Sequence, residues 1–234
     1  MVHLRYLSAA LGALACGVAL QVNAASETFI TPTGSMSGGQ PVDASAMFTT
    51  GTGTVTITLN NLEANPKAVA QNLSDLFFTL SDGATMGTLG TNTGTEVTVN
   101  GDGSVTPGST VSTGWALMNN QMGGLQLNVL GAAGPKHTII GPPGTGGTYS
   151  NANNSIAGNT PHNPFLNQTA SFTVDISSVT PTTTITGATF SFGTSAGNNV
   201  TGTPGTSVPE PASIALLGMG LAGLGLARRR GRKA

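Results

Sequence analysis

The sequence predicts a mainly β protein, an antiparallel β-sandwich, and three observations lead there. Short stretches of polar–apolar alternation recur between residues 54 and 192, clusters of Gly, Asn and Pro separate them, and almost no segment of the body has helical spacing. An apolar segment at each end of the chain stands apart from this pattern. These read as an N-terminal signal helix and a C-terminal transmembrane helix. The chain therefore divides into a leader (residues 1–24), a Thr/Gly/Asn-rich body with its C-terminal linker (25–207) and a tail (208–234).

After a Pro/Gly-punctuated opening, residues 54–59 (TVTITL) alternate strictly, which puts Val55, Ile57 and Leu59 on one face of a half-buried strand. Residues 62–74 (LEANPKAVAQNLS) hold the body's one helical candidate, a turn or two after Pro66. Residues 76–80 (LFFTL) form a compact strand closed by Ser81-Asp82-Gly83. Residues 96–99 (EVTV) run into Asn100-Gly101-Asp102-Gly103, a hairpin turn of residues that tolerate positive φ. Residues 115–118 and 125–130 pair as a second hairpin around Trp115, the one tryptophan.

From 131 to 167 the periodicity is lost, and Gly141 to Gly147 cannot sustain a ladder. A loop of this length is functional or mobile, with Tyr149, Ile156, Phe165 and Leu166 to pin parts of it. Residues 170–176 (ASFTVDI) alternate again, as do residues 182–192 apart from a break at 184–188. Phe172 and Val174 share one buried face and Phe190 and Phe192 another. Short strands between turn signals suit a sandwich of the jelly-roll or immunoglobulin-like kind. Residues 197–207 are an apolar-poor linker.

Charge is scarce and uneven. Only 7% of residues are charged, against 34 glycines. Lys67 and Lys136 are the body's cations, facing Glu27, Asp43, Glu63, Asp75, Asp82, Glu96, Asp102 and Asp175. A surface so poor in cations has no footprint for a phosphate backbone, which argues against nucleic-acid binding. Cys16 is the only cysteine. A chain cleaved after the leader has none, so disulfides and cysteine-based metal sites or nucleophiles are excluded from the body.

The leader has a weak positive start at Arg5, an apolar stretch over residues 7–20 and small residues at Val22-Asn23-Ala24, which places signal cleavage between Ala24 and Ala25. A rival is lipoprotein processing at Cys16, where Ala13 replaces the usual leucine three positions earlier. The tail holds three unlike pieces in fixed order. First come Val208, Pro209, Glu210 and Pro211, then an uncharged apolar run over residues 214–227, then Arg228, Arg229, Arg230, Arg232 and Lys233. Pro211 fits the first turn of a helix, and Glu210 sits near the positive end of its dipole. The run is shorter than the roughly 20 residues that a bilayer core demands, so Ala212, Ser213 and snorkelling arginines must complete the crossing. The basic cluster holds the C-terminus in the cytoplasm and leaves the body outside.

This tripartite ending resembles the PEP-CTERM sorting signal of bacterial exosortase substrates. The resemblance rests on Val208-Pro209-Glu210-Pro211-Ala212-Ser213, the Leu/Gly/Ala-rich helix and the terminal arginines, and covers the tail alone. It implies recognition by an exosortase-like processing enzyme, removal of the tail and delivery to the cell surface or extracellular matrix. Gly218-Met219-Gly220-Leu221-Ala222-Gly223 also satisfies G-x-G-x-x-G, but no strand precedes it and no acidic residue follows, so close helix–helix approach is the better reading.

The body's chemical signals are thin. Gly193-Thr194-Ser195-Ala196-Gly197 matches a nucleophile elbow, yet no helix pattern and no histidine follow Ser195. His137 and His162 lack a further ligand nearby for zinc, and Asp82, Asp102 and Asp175 stand singly rather than in a calcium loop. The expectation is therefore no enzyme, no catalytic or metal site and no cofactor. The chain reads as an exported surface or matrix protein, structural or adhesive. Its partners are the Sec translocase, the exosortase-like enzyme, the inner membrane in transit and exopolysaccharide. A carbohydrate-binding module presenting Trp115 and Tyr149 is the alternative, and a secreted hydrolase using Ser195 or His162 the remote one.

Overall fold

A computed structural model describes residues 25–131, 134–195 and 197–205. The expected signal helix, with Cys16, and the expected transmembrane helix lie outside these residues. Among the described residues no helix is long and apolar enough to cross a membrane.

The chain is mainly β, as expected. Its strands are β1 (Ala25–Ile30), β2 (Met36–Ser37), β3 (Gln40–Pro41), β4 (Ala44–Gly51), β5 (Thr54–Asn61), β6 (Leu73–Leu80), β7 (Thr88–Val99), β8 (Val105–Val111), β9 (Ala116–Gln121), β10 (Gly124–Asn128), β11 (Ile139–Ile140), β12 (Phe165–Asp175), β13 (Ile185–Phe192), β14 (Asn199–Thr201) and β15 (Thr203–Pro204). The expected helix at 62–74 is reduced to one 3-10 turn at Val69–Gln71. Gln71 Oε1 accepts from the N–H groups of Lys67 (2.6 Å) and Ala68 (3.0 Å), which closes the turn, and the chain is already extended at Asn72.

The sequence reading foresaw an antiparallel sandwich. The strands instead join through hydrogen bonds into one thirteen-stranded mixed sheet, in the order β14-β13-β6-β11-β12-β5-β4-β1-β15, with β10 and β9 branching from β6 and β7 and β8 from β12. The cause is β11. It pairs antiparallel with β6 at Leu73 and parallel with β12 at Leu166 and Asn167, so it bridges two runs of strands that would otherwise be separate sheets. Two bonds from the Asn61 amide, to the carbonyls of Gln71 and Ile139 at 2.8 Å each, hold β11 in place.

The sheet folds over so that its ends meet face to face. Phe48 on β4 and Phe78 on β6 lie far apart in strand order, yet their rings are 5.5 Å apart. Phe29 packs edge-on against Phe48 at 6.0 Å. Around them the alternating residues named from sequence (Val55, Ile57, Leu59, Phe172, Val174 and Phe190) are all buried. Burial of such a side chain is worth about 1.5–3 kcal/mol. The β4–β5 hairpin turns through Gly53 at φ +73°, a conformation glycine adopts without steric cost.

The 131–167 stretch is tied down at several points. A second apolar cluster gathers Tyr149, Ile156 and Phe165 with Val97, Val99 and Ile140. Tyr149 donates its hydroxyl to Gly141 O at 2.8 Å. Gly141 has no room for a side chain, since a Cβ there would lie 1.9 Å from Glu63 O. The segment lacks period because local turns and loop contacts, with some side chains, satisfy much of its backbone in place of ladders.

Candidate functional site

The sorting residues Val208, Pro209, Glu210 and Pro211, the basic cluster and Ala24 lie outside the described residues. Ala25 opens β1 and pairs with Thr50 on β4.

Within the body, a concavity lies on the outer surface of β14, β13, β6 and β10. Strand alternation builds it. Leu76 and Phe78, Phe190 and Phe192, and Leu125 and Leu127 all point into the core, so their neighbours in sequence point out. The register then aligns those neighbours across strands. Asn199 lies opposite Ser191, Ser191 opposite Asp75, and Asp75 opposite Asn128. The next rung is Thr201, Thr189, Phe77 and Gln126. With Ser195 and Gly197 on one rim and Met122, Leu130 and Gly131 on the other, the walls enclose about 590 Å³, within the usual range of small-ligand sites.

Asp75 is the acid of this groove and is only 4% exposed. Burial raises its carboxyl to about 7, against the lowering pull of the Gln126 amide. Oδ2 accepts a very short hydrogen bond from Gln126 Nε2, and Oδ1 is buried with no partner among the described residues. Ser191 Oγ meanwhile donates to Asn199 Oδ1 at 2.8 Å. Among the described residues, no Lys, Arg or His lines the groove.

The structure corrects the sugar platform expected from sequence. Trp115 is 4% exposed and Tyr149 1%, so neither presents a face to a ligand. Trp115 packs on Phe172 at 5.3 Å and donates Nε1–H to His137 O at 2.9 Å. Ser195 is exposed on the groove rim, but the histidines are engaged elsewhere. His137 bonds Glu96 Oε1 through Nε2 at 2.8 Å and Thr113 O through Nδ1 at 2.9 Å. His162 Nδ1 lies 2.6 Å from Ser155 O. Among the described residues, no group of three or more His, Cys, Asp or Glu could hold a metal ion.

Apart from Ser195 on the rim, the groove residues were absent from the sequence-derived candidates, although one signal pointed to them. Asp75 is the one charged residue in a largely apolar strand, LSDLFFTL, where alternation sends it outward.

A mainly β body with an acid-centred surface groove, followed by a separate tail, describes the class of this protein. The tail is specific: the family model for the PEP-CTERM protein-sorting motif matches residues 207–231. The motif implies processing by an exosortase-like enzyme, export and sorting to the cell surface. No curated protein matches the chain. No solved structure does either.

Proposed function

We propose that this is an exported surface or matrix protein whose body is a two-layered β-sandwich with a structural or adhesive role in biofilm or exopolysaccharide. The observation that carries the reading is the sorting motif at residues 207–231, joined to a body rich in Thr, Ser, Asn and Gly. The precursor crosses by the Sec translocase and loses its leader between Ala24 and Ala25. It then stays in the inner membrane as a single-pass protein, body outside and Arg228, Arg229, Arg230, Arg232 and Lys233 inside. Release at the motif delivers the body to the cell surface or beyond. In this reading the role is non-catalytic.

Mass spectrometry of the protein recovered from its own host tests this. The expected mature chain begins at Ala25 and ends within or near the motif. A surface form that keeps residues 214–234 would overturn the reading.

A second reading, carbohydrate binding, is favoured by the groove between β14 and β10 with its amides and hydroxyls.

A further inference from the structure

We infer that the groove across β14, β13, β6 and β10 is a binding site for an uncharged saccharide seated along the rung Asn199–Ser191–Asp75–Asn128. This deepens the second reading above and rests on it.

The first argument is preorganisation. Three amide side chains in the groove each use one end within the protein and leave the other end unbonded among the described residues. Gln126 gives Nε2 to Asp75 and keeps Oε1. Asn128 takes the Gly131 N–H on Oδ1 at 3.1 Å and keeps Nδ2. Asn199 takes the Ser191 hydroxyl on Oδ1 and keeps Nδ2. Each amide is thus held by a protein contact while one donor or acceptor stays available. Fixing such groups before binding lowers the ordering cost of association.

The second argument is chemical selection. A sugar carries hydroxyls that both donate and accept around its edge, and apolar C–H groups on its faces. The groove offers free amide donors, a free amide acceptor and the Thr189 hydroxyl, with half-buried Phe77 on the adjoining rung and Leu130 at the rim. The step between strands is about 4.8 Å, so four strands present a line of about 14 Å, room for a short oligosaccharide.

The third argument is charge. Among the described residues the lining holds no Lys, Arg or His, so phosphates, sulfates and uronates find no counter-charge there, and Asp75 repels them once ionised. A calcium ion takes six to eight oxygen ligands, carboxylates prominent among them, and Asp75 is the single carboxylate in the lining among the described residues. A neutral ligand remains. Asp75 is a positioning residue here, since its carboxyl holds the Gln126 amide.

The test uses the full chain in detergent on an array of neutral hexose and N-acetylhexosamine oligosaccharides, acidic oligosaccharides and unrelated extended peptides. Titration calorimetry of the best neutral binder follows. Asn199→Ala and Asn128→Ala are expected to weaken binding by about five- to ten-fold each, the loss of one hydrogen bond. Thr186→Ala, on the outer face of β13 beyond the groove, leaves it unchanged. Because Asn128 also tethers Gly131, NMR of the unmutated protein provides a second readout, in which the side-chain NH₂ signals of Asn128 and Asn199 shift on adding the sugar. Neutral glycan binding with neither effect overturns this placement and leaves carbohydrate binding standing. Absence of neutral glycan binding, or binding of acidic glycans or peptides alone, overturns both. Neither result touches the sorting reading, which the mature termini decide.

Discussion

Asn163 pairs with Val99 as a neighbouring strand would. Its Oδ1 accepts from the Val99 N–H at 2.9 Å, and its Nδ2 lies 3.3 Å from the Val99 carbonyl. The same Nδ2 reaches Ile156 O and Asn159 O at 3.1 Å. One buried amide thereby fastens the aperiodic 141–164 segment to the end of β7. Asn163→Ala leaves the Val99 N–H unsatisfied in the interior, a loss of about 1–3 kcal/mol. Urea unfolding of the variant should show it, and a midpoint unchanged from the native protein would mean the segment is held elsewhere.

Asp75 gives stability an unusual pH dependence. Its folded value of about 7 exceeds its ordinary 3.8, so between these limits the folded chain keeps a proton that the unfolded chain has released. Stability from this group is complete below the unfolded value, falls as pH rises toward 7 and levels off above it. Asp75→Asn removes the charged form and should stabilise the fold by about 2–4 kcal/mol at about pH 8, with little change at about pH 4. Denaturation series at both values check this. An equal gain at both would trace the effect to packing.

Trp115 is a core residue, so Trp115→Ala should cost about 3–5 kcal/mol, as deletion of a buried aromatic does. Native Trp115 fluorescence should be blue-shifted and insensitive to added oligosaccharide. A saccharide-dependent quench that saturates would restore Trp115 as a ligand contact.

The tail's pieces should separate in function. Glu210→Ala should leave a full-length precursor in the membrane, because burial of residues 214–227 needs no motif residue. Neutralising Arg228, Arg229, Arg230, Arg232 and Lys233 should instead weaken retention and orientation. Immunoblots of membrane and released fractions distinguish the two. Normal trimming of the Glu210→Ala protein would replace the sorting reading by that of a plain anchor.

The sequence by itself determined what depends on neighbours along the chain. Alternation at residues 54–59 and 170–176 set the inward faces of β5 and β12, because successive strand residues point to opposite sides whatever they pair with. Asn100-Gly101-Asp102-Gly103 marked the β7–β8 turn, and the order of motif, apolar run and basic cluster marked the tail. Beyond such hairpins, tertiary structure alone decided which strands pair and in what register. No local pattern in Ile139-Ile140 announces a strand that binds β12 in parallel, and nothing local to Trp115 says that Phe172 and His137 O will enclose it. The groove is the same case. Asp75, Asn128 and the Ser191–Asn199 hairpin come from three separate stretches of the chain, and they form one rung only because the long-range ladders β6–β10 and β6–β13, with the local β13–β14 pairing, fix their register.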